Sequence, residues 1–322
     1  MSFPFSALRA LLLTLAGLSA AHAQYPTKPI RVIVPVPAGG TPDVVARLVV
    51  PGMGKLLGQN VVIDNRGGAG SLIGTEMAAR APADGYTLLL SSGSAITIHP
   101  HLQRKLPYDP QRDFASISLV SSGPFTLIAH PAKPFKSVNG LVTMAKAAPG
   151  QLNYASAGNG TPNHLATELF KRMTGINIAH VPYKGAPQGI TDVLGNQIDL
   201  NLSSIPPVLG HIRSGRLQAL AVTGVKRSTQ LPDTPTVAES VAPGYEFSSW
   251  FGLWAPASVD TRIIAQLNEA LVKVVHAKEM RAQFEAMGSE PVGNSPEAFA
   301  AFQRAEHERN AKTVKLAGLR ID

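Results

Sequence analysis

Short apolar runs of strand length alternate along this chain with stretches whose apolar residues recur every three to four positions. Ile30–Val34, Val61–Ile63 and Thr87–Leu90 read as strands, and Val44–Leu57 and Leu72–Arg80 between them carry helical periodicity. That order is a βαβαβ unit, which predicts parallel strands with helices on their faces. A second series follows. Its strands fall near Thr126–Ala129, Leu152–Ala155, Ile178–Val181, Leu200–Leu202 and Leu217–Val222. Helices near Leu141–Ala148, Leu165–Met173, Ile190–Leu194 and Val208–Arg213 separate them. The tail holds one strand, Trp250–Trp254, then helices at Thr261–His276, Met280–Met287 and Ala298–Val314, the last opened by Ser295-Pro296.

One strand and three helices make a poor independent domain, so the tail is expected to complete the first sheet. The chain then crosses between two lobes twice, near Ser121–Pro124 and near Pro243–Ser248, both rich in turn residues. Lobe one comprises residues 24–123 and 247–322, and lobe two residues 124–246. Two α/β lobes with mainly parallel sheets, joined by two hinge crossings, form a trap that bends shut on a ligand.

The first residues alter the picture of where the chain works. Arg9 precedes the apolar stretch Ala10–Leu18, and Ala21-His22-Ala23 is a small-x-small cleavage site. Residues 1–23 therefore read as a signal peptide cleaved after Ala23, too short to span a bilayer, which takes ~20 apolar residues. The chain has 0 Cys, which excludes a disulfide scaffold, a thiol-ligated metal site and a lipidated N-terminal cysteine. An exported chain without an anchor is expected in the periplasm. The net charge of +8 is spread over single or paired Lys and Arg, and aromatics are 6%, so nucleic-acid binding is not expected.

Candidate chemistry lies in the loops. Gly40-Thr41-Pro42-Asp43 is echoed in the second half by Gly160-Thr161-Pro162-Asn163, each after an apolar strand. Thr followed by Pro starts a helix, and glycines let backbone N–H groups approach a ligand. A helix start is also electropositive and suits an anion. Three Gly-rich strand-to-helix loops stand out: Pro37-Ala38-Gly39-Gly40 through Asp43, Gly68-Ala69-Gly70-Ser71, and Ser156 through Thr161, with Gly158, Asn159 and Gly160. In parallel α/β sheets such loops lie at the carboxyl ends of the strands, where ligands bind. Each alone is an ordinary helix start; together they predict a carboxylate site. Ser92, at the end of the third strand, belongs with them. Asp43 would repel an anion if it faced the cleft, and capping its own helix is the favoured role.

Other constellations are weaker. Gly68-x-Gly70-x-x-x-Gly74 has the wrong spacing for a dinucleotide loop, and Asp84 sits in a turn. His164 and Glu168 are four apart but lack a third ligand, so surface pairing is expected rather than metal binding. His99, His101 and His130 stand beside prolines, where local hydrogen bonding is expected. Trp250 and Trp254 read as core, and Tyr183, after a strand end, as a cleft wall. No Gly-x-Ser-x-Gly elbow occurs.

An ordered series of short segments carries a family resemblance. It includes Tyr25–Ile30, Pro37–Gly40, Asp64–Arg66, Asp84–Thr87, Leu106–Asp109, Asn153–Ser156, His180–Gly185, Leu220–Thr223, Leu231–Asp233 and Pro235–Val237. In these the chain resembles the Bug family of periplasmic solute-binding proteins, the receptor component of tripartite tricarboxylate transporters, over nearly its whole mature length. The resemblance implies a type II periplasmic-binding fold that clamps a small carboxylate between the lobes, chiefly by backbone groups and waters. It points to the three loops above, with His164, Tyr183, Ser203 and Ser204 added. Where many members carry Phe-Asp-Asn, this chain has Leu202-Ser203-Ser204, so the expected ligand lacks an amino group: a di- or tricarboxylate, or an aromatic acid. The expected partners are that organic acid and the membrane permease subunits, or a sensor kinase. The expected protein is a monomer with no cofactor and no metal. A periplasmic hydrolase on the same lobes is the alternative, but no nucleophile and base stand at a suitable spacing.

Overall fold

The computed structural model describes residues 25–103 and 105–320, so the proposed signal peptide and its cleavage site lie outside the described residues. The first unit is β1 (Ile30–Val34), α1 (Thr41–Leu57), β2 (Val61–Asn65), α2 (Leu72–Ala79) and β3 (Thr87–Ser92), close to the predicted spans. α3 (His99–Leu102) follows. A long strand, β4 (Phe114–Ala129), then leads into α4 (Val138–Ala147), β5 (Asn153–Ser156), α5 (Pro162–Thr174), β6 (Ala179–Pro182), α6 (Ala186–Leu194) and β7 (Leu200–Ser204). Next come α7 (Leu209–Arg213), β8 (Gln218–Val222), α8 (Val237–Ser240) and β9 (Ser248–Pro256). The chain closes with α9 (Thr261–His276), α10 (Lys278–Ala286), β10 (Glu290–Pro291) and α11 (Pro296–Ala317).

The strands form one curled sheet in the order β2-β1-β3-β9-β4-β7-β5-β6, with β8 and β10 also paired to β4. The predicted parallel ladders are present at its two ends, β2-β1-β3 and β7-β5-β6. The middle is antiparallel, which the pattern of apolar runs did not indicate. β4 pairs with β9 as far as Pro124, then with β7 and β8 from Phe125 onward. A single strand thus passes from one half of the sheet to the other, and β9 returns beside it.

The first half packs α1 and α9 around Val32, Val49, Met53, Leu88, Leu267 and Leu271, all buried. The second half packs α4 and α5 around Leu127, Leu141, Tyr154, Leu165, Phe170 and Leu200. A third cluster lies under α11. There Phe299 is fully buried against Trp250 and Trp254, with ring centroids 6.1 and 5.1 Å away. Gly252 between the tryptophans makes room for that ring, since a Cβ there would stand 2.2 Å from Phe299. Both tryptophans are core, as their alternation predicts. The C-terminal part of α11 departs from the expectation for the tail: Val314 joins the second-half core, with Ala317 and Leu319 packed against it. α11 is therefore a strap over both halves.

Removing the Phe299 ring empties the meeting point of strap and hinge strand. Phe299→Ala is expected to lower unfolding stability by about 3–5 kcal/mol, read from urea midpoints. A loss below ~1 kcal/mol would mean that α11 is not seated as described.

Candidate functional site

The Gly-rich loops meet at the carboxyl ends of the parallel strands, between the two halves of the sheet. They enclose a cavity of about 60 Å³, against the ~10–15 Å³ that one water needs. Val36, Gly40, Thr41, Pro42, Ser71, Ser92, Phe251 and Ser249 line it from one side. Phe125, Ala157, Thr161, Pro162, Asn163, Ala186, Leu202, Ser203 and Ser204 line it from the other. No charged side chain stands among them. Larger hollows of about 560 and 660 Å³ open on the outer surface around His307 and contain none of the Gly-rich loops.

Helix starts dominate the lining. α1, α2, α5 and α6 all begin at this cavity, and none has a side chain capping its first turn. Of the helices that begin elsewhere, α4, α8, α9 and α11 are capped by Ser137, Thr236, Asp260 and Ser295, while α3, α7 and α10 have no side-chain cap. Uncapped N–H donors at a helix start demand a partner from outside the helix. The Thr-Pro pairs do not cap as predicted. Gly40 takes the cap position of α1, with Thr41 already helical. At α5, Thr161 spends its hydroxyl on the Gly158 carbonyl (2.6 Å) and on Asn163 Oδ1 (2.8 Å).

Asp43 and Asn163, the matching residues of the two echoes, both turn back onto their own loops. Asp43 accepts from Gly39 N–H (2.8 Å), Arg47 Nε (2.9 Å) and Asn65 Nδ2 (3.0 Å). Burial opposes the charge, but the bonds from Arg47, Gly39 and Asn65 outweigh it and hold the carboxyl below the usual range. Asp43 therefore shapes the loop and does not line the cavity. Asn163 Oδ1 accepts from Ala157 N–H (3.4 Å).

The Gly68–Ser71 loop turns on backbone that side chains rarely adopt. Gly68, Ala69, Gly70 and Ser71 all have positive φ, at 129°, 48°, 64° and 85°. Such left-handed runs cost energy in residues other than glycine and cluster at ligand sites. Here they aim Ser71 into the cavity. Gly70 then passes so close to the other half that a Cβ would stand 2.4 Å from the Asn159 carbonyl oxygen. His99 fastens the same point, its Nε2–H donating to the Gly70 carbonyl (3.0 Å), and a Cβ on Gly160 would meet its ring at 2.6 Å. Pro37 likewise abuts Gly185, where a Cβ would lie 2.8 Å from the proline ring.

Of the predicted site residues, Gly40, Ser71, Ser92, Thr161, Ser203 and Ser204 line the cavity. Pro37, Ala38, Gly39, Gly68, Ala69, Gly70, Gly158, Asn159 and Gly160 form the loop walls and rims around it. Ser156, His164 and Tyr183 stand behind them. Ser156 Oγ accepts from Gly158 N–H (3.1 Å) and lies 2.6 Å from His180 Nε2. Tyr183 donates to Asp192 and is not a cavity wall. His164 is buried rather than paired on the surface. Its Nδ1 accepts from Gly160 N–H (3.1 Å), and its ring stacks on His180 with centroids 4.0 Å apart. Glu168 instead takes the Tyr154 hydroxyl and pairs with Lys171 at 2.7 Å. His130 bonds locally, whereas His99 and His101 reach Gly70 and the His307 carbonyl. Phe125, Ser249 and Phe251 were missed, because they reach the cavity only through the antiparallel hinge strands. Among the described residues no three His, Cys, Asp or Glu side chains gather to hold a metal.

The model of the tripartite tricarboxylate transporter receptor family, TctC, matches residues 45–319. The chain belongs to this family. The receptor is 39% identical over 298 residues to protein BugT of Bordetella pertussis, covering 92% of this chain and 91% of that one. Among solved structures it resembles Rpa4515 of R. palustris with adipate, at 34% identity and TM-score 0.90 over 92% of this chain and 99% of that one. It also resembles MatC from Rhodopseudomonas palustris with bound malate, at 28% identity and TM-score 0.86 over 90% of this chain and 100% of that one. The expected α/β type II binding fold and the Bug-like assignment are thus borne out. The family is one of transporter receptors, and a further related structure is that of the periplasmic binding protein BugD.

The stacked histidines behind the Ser156–Thr161 loop are expected to make stability acid-sensitive. Burial, reinforced by His180 and Lys171, pushes His164 down to about 3, and burial pushes His180 down to about 4. An unfolded histidine titrates near 6.5, so unfolding takes up protons below that pH and acid favours the unfolded chain. The urea midpoint is expected to be level above pH ~6.5 and to fall between 6.5 and 4. His164→Gln combined with His180→Phe should shrink that fall. An unchanged slope in the double variant would show that other groups carry it.

Proposed function

We propose that the protein is a periplasmic receptor that closes on a small carboxylate lacking an amino group and delivers it to a tripartite tricarboxylate-type membrane permease. One observation carries this reading: four uncapped helix starts converge on a cavity that no charged side chain lines. Each such start favours an anion by about 0.3–1 kcal/mol when exposed, and by up to ~2 kcal/mol when partly buried. A micromolar Kd takes about 8 kcal/mol. The helix ends thus supply part of the affinity, and the serine hydroxyls and the apolar walls at Val36, Phe125 and Phe251 supply the rest. An ammonium group would need an acidic partner; none lines the cavity among the described residues, and Asp43 of the first loop is committed to Gly39, Arg47 and Asn65. The adipate and malate of the two related structures are acids of this kind. The leader at residues 1–23 accords with export, and among the described residues no helix is long and apolar enough to cross a membrane.

A thermal-shift screen against organic acids tests the ligand class. A ligand at 100 times its Kd adds about 2.7 kcal/mol of stability. Di- or tricarboxylates, or aromatic acids, are expected to raise Tm by several degrees, and aspartate and glutamate to do less than their deaminated analogues. No response to any acid, or a preference for the amino acids, contradicts the assignment. Gly70→Ala places a Cβ against Asn159 and is expected to weaken the best acid tenfold or more in calorimetry. Unchanged affinity would show that the halves need not meet there.

A further inference from the structure

Beneath Ser203, one row behind the cavity lining, lies a side chain with no assigned role. Asn201 is two residues earlier in β7, so it points to the same face of the strand, roughly 7 Å deeper. It is 1% exposed, yet neither its Nδ2 nor its Oδ1 has a hydrogen-bond partner. A buried amide left so costs stability and calls for an explanation. Ile128 of β4 is its cross-strand partner on one side, and on the other the residues are small. Ala155 pairs beside it in β5, one step beneath the cavity-lining Ala157. Gly189 covers it from α6, one turn beyond the cavity-lining Ala186, and a Cβ there would stand 3.1 Å from Asn201 Nδ2. The cavity begins at Ser203, whose hydroxyl donates to the Ser204 carbonyl (3.0 Å) and stands between Asn201 and the lining.

Resting on the carboxylate reading above, we infer that Asn201 is a specificity-determining residue that reads a hydroxyl group on the bound acid. The match is one of hydrogen-bond inventory. A carboxylate oxygen accepts only, so it would satisfy Nδ2 and leave Oδ1 facing another acceptor. A hydroxyl accepts from Nδ2–H and donates to Oδ1, which completes both. A site built to bond a substrate hydroxyl rejects the analogue lacking it, because its own buried groups then stay unpaired. The ligand class narrows from small carboxylates to hydroxy acids, with one carboxylate at the helix starts and the hydroxyl turned toward β7.

Calorimetry on the full mature protein with acids differing by one hydroxyl tests this: malate against succinate, and mandelate against phenylacetate. In at least one pair the hydroxy acid is expected to bind tenfold or more tightly. Asn201→Leu, of similar shape and without orphaned polar atoms, should reduce that ratio to within about twofold, leave the plain acid bound, and raise the Tm of the ligand-free protein. Equal binding within every pair overturns this inference and leaves the carboxylate reading standing. A ratio retained in Asn201→Leu also overturns it, by moving the readout to the serines. If no acid of either kind binds, the carboxylate reading itself fails, and this inference with it.

Discussion

Backbone without side chains is what lets the two halves of this protein meet. At Gly70 the loop of one half passes the Asn159 carbonyl of the other with no room for a Cβ, and at Gly185 the second half yields in the same way to Pro37. Around these close contacts the helix starts behind the loops are brought to one cavity, none of them capped by a side chain. Polar side chains of the loops are spent on the loops themselves. Asp43 and Asn163 bend back to tie their own loops, Thr161 bonds its loop carbonyl, and Ser156 and His164 hold the loop from behind.

The supporting structure follows from that requirement. Glycine-rich loops at positive φ are intrinsically costly to order, and each is fixed by a buried side chain on its own side. His99 holds Gly70, and the stacked His164 and His180 hold Gly160 and Ser156. These rings are neutral because burial disfavours their charged forms. The halves are connected not only by β4 and β9 but also by α11. Its Phe299 is seated on the hinge-strand tryptophans while Val314 packs into the opposite core.

Local features of the sequence were well legible. β1 and α9 fall on their predicted spans because the apolar period and caps agree there, and Ser295 caps α11 as its position before Pro296 suggests. The glycine loops announced the site by composition. What stayed hidden depends on distant partners. The first part of β4, Phe114–Pro124, is rich in serine and looks like a loop until β9 pairs beside it. Phe125, Ser249 and Phe251 enter the site only through that antiparallel hinge. His164 carries a surface-like i, i+4 spacing to Glu168, and its burial is set by His180 on another strand. Asn201 sits in an ordinary strand pattern, and only the packing of α6 reveals that its amide has no partner.

Recognition of an anion by helix starts, rather than of a shape by apolar walls, is the central claim. It is tested most directly by titrating the best-binding acid and its fully esterified methyl ester into the protein at low and at physiological salt. Removing the charge while keeping the carbon skeleton should abolish measurable binding, with the acid weakening only modestly as salt rises because the site is enclosed. An ester that binds within a few-fold of its acid would contradict the claim and assign the affinity to the apolar lining.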